Sequence, residues 1–362
     1  MARAKLTLSR SALLTNYKIL SQKVDGLRLL PMVKANAYGH DAIFTAKSFL
    51  GQKNLHGFGV ATFPEAIELR LGIKNNLIPI IVFSDSAPWN EEHFKLCLKY
   101  NLEHVLSETI SLLTFQADPR VTKIRAHIEV NTGMNRMGIP MSSLRLVNFS
   151  PVSVFTHLAD ADTPNSSLSK RQTKNFSEVI AETKQRFPKA LLHFSNSSAI
   201  WNAKQFPLTK EMDLARPGLS LYGIRPFDRA KTDGLKRAMC FTAPVINRIY
   251  LNPGDQVGYG GTYTCKKKSG EWVAILAVGY ADGLFRSLSS KGLATFGKRK
   301  LQLVGRVSMD LSAMHADSKI KVGDEVELWG DSIDPYEQAS LAGTIPYELI
   351  TRIGQRLEKI YE

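Results

Sequence analysis

Cysteine is scarce: Cys97, Cys240 and Cys265 are the only three in 362 residues. They lie far apart, are odd in number and lack metal-type spacing, so the chain is neither a disulfide scaffold nor a cysteine zinc module. All three are expected reduced and structural, and no metal is expected. Long apolar runs are missing too, which argues against a membrane span. The first eight residues are basic but have no continuous apolar stretch behind them, unlike a secretory signal. A cytoplasmic protein without membrane contact is expected. Repeats and low-complexity tracts are absent. Acidic residues fall short, 33 against 47 lysines and arginines, leaving a formal charge of +14. Such an excess can serve nucleic acid. Here the densest clusters, Lys266-Lys267-Lys268 and Lys298-Arg299-Lys300, are short and carry no interleaved aromatics. No nucleic-acid partner is expected, and the positive field suits small anions.

The hydrophobic fraction of 44% and charged fraction of 22% are those of a soluble globular protein. Because a single core seldom grows past roughly 250–300 residues, this length suits two domains. Through residue 223, short apolar runs alternate with longer amphipathic segments, the mark of a parallel α/β domain. Strands are expected at 29–33, 57–61, 78–83, 104–106, 124–130, 152–156, 191–194 and 219–221. Helices are expected at 9–21, 64–71, 91–100 and 170–187. Eight strands with helices between them predict a (β/α)8 TIM-type barrel over 9–232. Pro31 sits awkwardly in the first strand, since it cannot donate to a ladder, and a bulge is expected there. From 233 to 362 helical periodicity fades into short β-type runs at 243–250, 272–278, 301–307 and 325–329. A mostly-β domain is expected there, joined by residues 1–8 as a strand, with a final helix over 346–357.

The stretch 29–40, Leu-Leu-Pro-Met-Val-Lys-Ala-Asn-Ala-Tyr-Gly-His, stands out. An apolar run ends on Lys34 and opens into small residues, placing an amine at the C-terminal rim of a strand. In an α/β barrel that rim carries the active site. A lysine alone could equally be snorkelling from a strand end. The wording of the whole motif, Val33-Lys34-Ala35-Asn36-Ala37-Tyr38-Gly39-His40, resembles the pyridoxal-phosphate lysine motif of the alanine racemases, fold-type III enzymes.

The resemblance runs from end to end. It implies that Lys34 holds pyridoxal 5'-phosphate covalently and is one of two catalytic bases. Asn131-Thr132-Gly133-Met134-Asn135-Arg136-Met137-Gly138 resembles the family loop whose arginine, here Arg136, meets the cofactor's phenolic oxygen and the substrate carboxylate. His157 is similar to the histidine linking the ring-nitrogen arginine, here Arg216, to the catalytic tyrosine. Asn196-Ser197 and Arg216-Pro217-Gly218-Leu219 match cofactor segments. They imply that Ser197, Gly218, Leu219, Tyr38 and Tyr347 surround the phosphate, with Asn196 beside them. An arginine at the ring nitrogen keeps that nitrogen unprotonated, which suits a reaction that only removes and returns an α-proton. Gly258-Tyr259-Gly260-Gly261 resembles the segment carrying the second base, Tyr259, and Met309 in Val307-Ser308-Met309-Asp310 is implied at the substrate carboxylate. The segment 279–283, Arg286, Asp162 and Arg306 fit the family's entry corridor. The tyrosine of one subunit reaches the partner's cofactor in that family, so a homodimer with shared active sites is implied.

The match breaks at Glu129, where the family usually has a lysine, often carbamylated, that steadies the substrate-binding arginine. Glu129 is expected to supply that negative charge directly, with a bound anion such as chloride as the rival. Asn131 for the usual Asp, Asp41 for Gly, and Leu357-Glu358-Lys359 near the end also depart from the family. The expected function is interconversion of L- and D-alanine, supplying D-alanine for peptidoglycan. Two alternatives stand beside it: a racemase of broader scope that also takes serine or lysine, and a non-catalytic carrier of the same cofactor on the same barrel.

Overall fold

The computed structural model describes residues 3–84, 88–163, 165–227 and 234–362. They divide into two compact units, 13–235 and 1–12 with 236–362. The join expected between 232 and 233 lies outside the described residues.

In the first unit six strands, Phe58–Val60, Ile80–Val82, Glu103–Leu106, Ala126–Asn131, Ser153–Phe155 and Leu191–His193, pair in parallel and in chain order. Arg28–Leu29 and Leu214–Ala215 pair with each other and close the ring. On one side Arg216 N–H donates to the Ser195 carbonyl at 2.8 Å, and on the other Met32 bridges to Gly59. Eight parallel strands thus make a TIM-type barrel, and its interior packs Leu30, Ile81, Val105 and Phe155 against Phe83. Helices form where capping residues begin them. Thr62 accepts from Glu65 N–H at the start of Phe63–Ile73, Asn90 caps Glu91–Tyr100, and Ser166 caps Ser167–Arg186. The last buries Phe176, Val179 and Ile180 on one face.

One expectation needs correction here. The eighth strand is Leu214–Ala215, while the residues expected to form it, 219–221, lie in a 3₁₀ turn, Leu219–Tyr222. Pro217 has no N–H for a ladder and Gly218 turns the chain with φ −120 and ψ −97, so pairing stops before the apolar pair Leu219 and Leu221. Those two side chains are buried from a helical turn instead. The irregularity expected at Pro31 is present: pairing with the next strand moves from Leu29/Leu55 to Met32/Gly59, three residues against four, so the extra residue lies opposite the proline. The Pro31 carbonyl accepts from Gly59 at 2.9 Å, while Leu30 and Met32 donate at 2.9 Å to the Ala215 and Pro217 carbonyls on the other side. The missing N–H is accommodated by that one-residue shift on one side, while pairing on the other side stays regular.

The second unit is built on an antiparallel sheet. The 13-residue strand Met239–Leu251 pairs with Glu325–Trp329 near its start and with Glu271–Leu276 near its end. Ser312–Ala316, Arg299–Val304 and Leu293–Phe296 complete the circuit between those two partners. Register shifts at Phe241/Thr242 and Val245/Asn247 bend the long strand enough to serve both. Lys5–Leu8 adds to Met239–Thr242 antiparallel, and Glu358–Tyr361 adds to Lys5–Leu8 in parallel. The helix expected over 346–357 ends at Thr351, and the chain then runs into that last strand. Leu251, Cys265, Val273, Val304 and Ala313 form a core cluster. The three cysteines are free, and no cluster of metal-ligating side chains occurs among the described residues. None of the described helices is long and apolar enough to cross a membrane.

Candidate active site

Lys34 follows the first barrel strand, at the C-terminal rim. The chain after it is unusual: Ala35, Asn36, Ala37 and Tyr38 have φ of 51°, 51°, 55° and 54°, and Gly39 has 82°. Each left-handed non-glycine residue costs about 1–2 kcal/mol, so this turn needs external support. Support comes from inside and out. Ala37 N–H reaches the Val33 carbonyl at 2.8 Å and Gly39 N–H the Ala35 carbonyl at 3.0 Å. Asn36 Oδ1 accepts from Ala42 at 2.8 Å, and Glu65 accepts from Ala35 through Oε1 and from Ala61 through Oε2, both at 2.7 Å.

Three cations and two carboxylates converge on this end of the barrel. Burial pushes the Lys34 amine below its ordinary range, Arg136 and Arg216 push the same way, and Glu65 and Glu129 oppose them. Burial raises the Glu129 carboxyl against the pull of Arg216, Arg136 and Lys34. Arg216 is buried, which brings it down to about 10 with Glu129 opposing. Its Nη2 donates to the Thr156 carbonyl at 2.9 Å and lies 3.4 Å from His157 Nδ1, while Nη1 is bonded to His193 Nδ1. The guanidinium also lies over the Phe155 ring, 4.9 Å from its centroid. His157 is pushed down to about 3 by burial and then by Arg216, so it is neutral.

Arg136 is exposed and stands on a loop shaped by Asn131 Oδ1, which accepts from Gly133 at 3.0 Å and from Asn135 at 3.1 Å. Gly138, at φ 104°, leaves no room for a Cβ against the Asn131 backbone. A cleft of about 370 Å³ beside this loop is lined by Ser107, Asn135, Arg136 and Gly138. Further along the chain, Asn196 caps Ser197–Trp201, and Ser197 Oγ accepts from Gly218 at 3.0 Å and Ser220 at 3.4 Å. A Cβ on Gly218 would collide with the Tyr38 hydroxyl, so Tyr38, Ser197 and Gly218 lie together, with Leu219 buried behind.

In the second unit, Tyr259 follows Gly258, at φ 67°, and is 73% exposed. It stands on the rim of a groove of about 660 Å³ with Val257, Ile275, Arg306 and Leu311. Met309 is held by its own loop: its carbonyl accepts from Ala281 and the Ser308 carbonyl from Tyr280, both at 3.0 Å. Tyr347 lies on Pro346–Thr351. Asp282, expected along an entry corridor, is turned inward and fully buried. Its carboxylate binds Arg356 Nε at 2.7 Å, Arg3 at 3.4 Å and Gly279 N–H at 2.9 Å.

Residues 8–226 match the alanine racemase N-terminal domain, and residues 238–361 match the alanine racemase C-terminal domain. The chain belongs to the alanine racemase family. It is 34% identical over 371 residues to an alanine racemase of Legionella pneumophila, with 98% of each chain covered. It is 31% identical to that of Hahella chejuensis, covering 100% of this chain and 98% of the relative. The biosynthetic alanine racemase of Pseudomonas aeruginosa superimposes with a TM-score of 0.88 at 28% identity over the full length of both chains. The alanine racemase of Bartonella henselae, solved with covalently bound pyridoxal phosphate, gives the same 0.88. Alanine racemases are isomerases that depend on pyridoxal phosphate, and both domains of the family are present along this chain. That sets aside the non-catalytic carrier.

The barrel brings Lys34, Arg136, His157 and Arg216 into one electrostatic group, with Tyr38, Asn196, Ser197, Gly218 and Leu219 along the same rim. Tyr259, Met309 and Tyr347 lie on the other unit. Sequence reasoning passed over Glu65, His193 and Arg356. Glu65 sits three residues past a capping threonine, where helical geometry alone accounts for a glutamate. Arg356 immediately precedes Leu357-Glu358-Lys359, the residues that depart from the family.

Proposed function

We propose that the protein interconverts L- and D-alanine with pyridoxal 5'-phosphate held by Lys34. The observation that carries this reading is the depressed Lys34 amine, buried beside Arg136 and Arg216. A lowered pKa leaves more of the amine neutral, and so able to act as nucleophile and to exchange a proton. The surrounding donors fit a phosphorylated, anionic ring: guanidinium groups at Arg136 and Arg216, hydroxyls at Tyr38 and Ser197, and a glycine at 218 that admits close approach. When bound, pyridoxal phosphate supplies the electron sink that acidifies the substrate α-proton.

The residues then divide the work. Arg136 and the Met309 backbone N–H bind the carboxylate. Arg216, cationic beside a neutral His157, faces the pyridine nitrogen. Asn196, Ser197, Gly218, Leu219, Tyr38 and Tyr347 surround the phosphate. Lys34 Nζ removes or returns the α-proton for one enantiomer and Tyr259 Oη for the other. The high exposure of Tyr259 supports its service to a second copy of the chain, in a cytoplasmic homodimer with shared sites. The D-alanine formed supplies peptidoglycan synthesis.

The test is racemisation by purified protein across alanine, serine and lysine, followed by chiral separation. Alanine is expected to turn over fastest. Lys34→Ala should remove both activity and the visible absorption of the bound cofactor. Tyr259→Phe should keep the absorption and lose turnover. Full activity in Tyr259→Phe would defeat the two-base assignment, and turnover of serine or lysine as fast as alanine would favour the broader racemase.

A further inference from the structure

From the N-terminal ends of three barrel strands, a line of buried polar groups leads to Arg216 and has no part in the proposed proton transfers. Glu103, His127, Ser153 and His193 come from four neighbouring strands, and none is more than 4% exposed. Glu103 Oε2 lies 2.8 Å from His127 Nε2, and His127 Nδ1 lies 2.7 Å from Ser153 Oγ. Ser153 Oγ is 2.9 Å from His193 Nε2, and His193 Nδ1 is bonded to Arg216 Nη1. His193 is stacked on Phe155 at 4.6 Å and 11°, which holds its plane.

With a single proton on each imidazole, the two ends fix every proton between them. A guanidinium only donates and a carboxylate only accepts. Arg216 therefore donates to His193 Nδ1, so the His193 proton is on Nε2 and points to Ser153. Having accepted there, Ser153 gives its single proton to His127 Nδ1. His127 then donates from Nε2 to Glu103. Burial opposes charge on Glu103, but the bonds from His127 and Arg125 outweigh it and hold its carboxyl below the ordinary range. Every bond points the same way, and such lines strengthen one another in a low dielectric.

We propose that Glu103, His127, Ser153 and His193 are positioning residues that fix the plane of Arg216 and deliver the countercharge of Glu103 to it. This rests on the assignment of Arg216 to the cofactor's ring nitrogen. The line does not touch substrate. It determines how the guanidinium is presented at the rim.

Neutron diffraction from the cofactor-loaded enzyme reads the line directly. Deuterium is expected on Nε2 of both His193 and His127, and its presence on Nδ1 of either ring overturns the proposal whatever Arg216 does. Ser153→Ala interrupts the line at its centre, and Glu103→Gln keeps the shape but removes the charge. Both should shift the absorption maximum of the bound cofactor and lower kcat about tenfold, with KM for alanine within about twofold. If either variant misfolds, the other and the neutron map still decide. Unchanged spectra in both, with a shifted spectrum in Arg216→Lys, overturn the proposal and leave the role of Arg216 standing. An unchanged spectrum in Arg216→Lys itself overturns that role and the proposal with it.

Discussion

The carboxylate of Glu65 accepts the backbone N–H of Ala35 at 2.7 Å, across 30 residues of sequence. Its second oxygen accepts from Ala61 at 2.7 Å, so one side chain ties the left-handed turn after Lys34 to the end of the next strand. Bonds to a charged acceptor contribute about 1.5–3 kcal/mol each. Both bonds are partly open to solvent and fall short of that range, so Glu65→Ala should lower stability by about 2–4 kcal/mol in urea unfolding and weaken cofactor retention. Glu65→Gln, with one accepting oxygen, should fall between that variant and the wild type.

Glu129 is the carboxylate set among Lys34, Arg136 and Arg216, and it opposes their depression of the Lys34 amine. Glu129→Gln should lower the Lys34 pKa further. The neutral amine should then be more abundant, and cofactor capture by apoprotein should quicken. Stopped-flow absorbance measures it. Removing carbonate and chloride should leave wild-type activity unchanged. A large loss restored by either anion would show that Glu129 does not supply the negative charge.

Acid should destabilise the fold before its carboxylates are fully titrated. Burial pushes His40 down to about 4 and His104 down to about 3, and His193 well below 6.5 by burial and Arg216. The unfolded chain binds protons at these positions below about 6.5 and the folded chain does not, so stability falls as pH drops from there toward about 4. Each fully buried ring contributes about 2 kcal/mol of loss at about pH 5. The urea midpoint should fall between about pH 7.5 and about pH 5, and a flat profile would contradict the neutral state of these rings.

Arg356 joins Asp282 at 2.7 Å and Asp310 at 2.6 Å, and these two carboxylates flank the loop that presents Met309. Removing the arginine leaves the buried Asp282 with only the more distant Arg3 as a cationic partner among the described residues. Arg356→Ala should lower the melting temperature and raise KM for alanine more than it lowers kcat. An unchanged KM would separate the clamp from substrate binding.

The barrel was legible because buried parallel strands read as uninterrupted apolar runs, and seven of the eight were found within a few residues. The eighth failed because Leu219 and Leu221 are as apolar as a strand, and only tertiary burial distinguishes a 3₁₀ turn from a ladder of that length. Lys34, Arg136, Arg216 and Tyr259 stood out through the motifs around them. Glu65 and the line from Glu103 to His193 did not, because their partners are roughly 20 to 40 residues distant and each looks ordinary in its own strand or helix. Left-handed backbone over four consecutive non-glycine residues has no sequence signature, since alanine is a good former of the opposite hand.

The pairing of Lys5–Leu8 with both Met239–Leu251 and Glu358–Tyr361 sets an order for assembly at the ribosome. The earliest of these segments to emerge must wait while the whole barrel, residues 13–235, is made, and it receives its second neighbour only once Glu358–Tyr361 has followed. Until then its hydrogen-bonding edge is open to other nascent chains. A deletion of 358–362 would perpetuate that state, and the outcome to look for is clumping during expression.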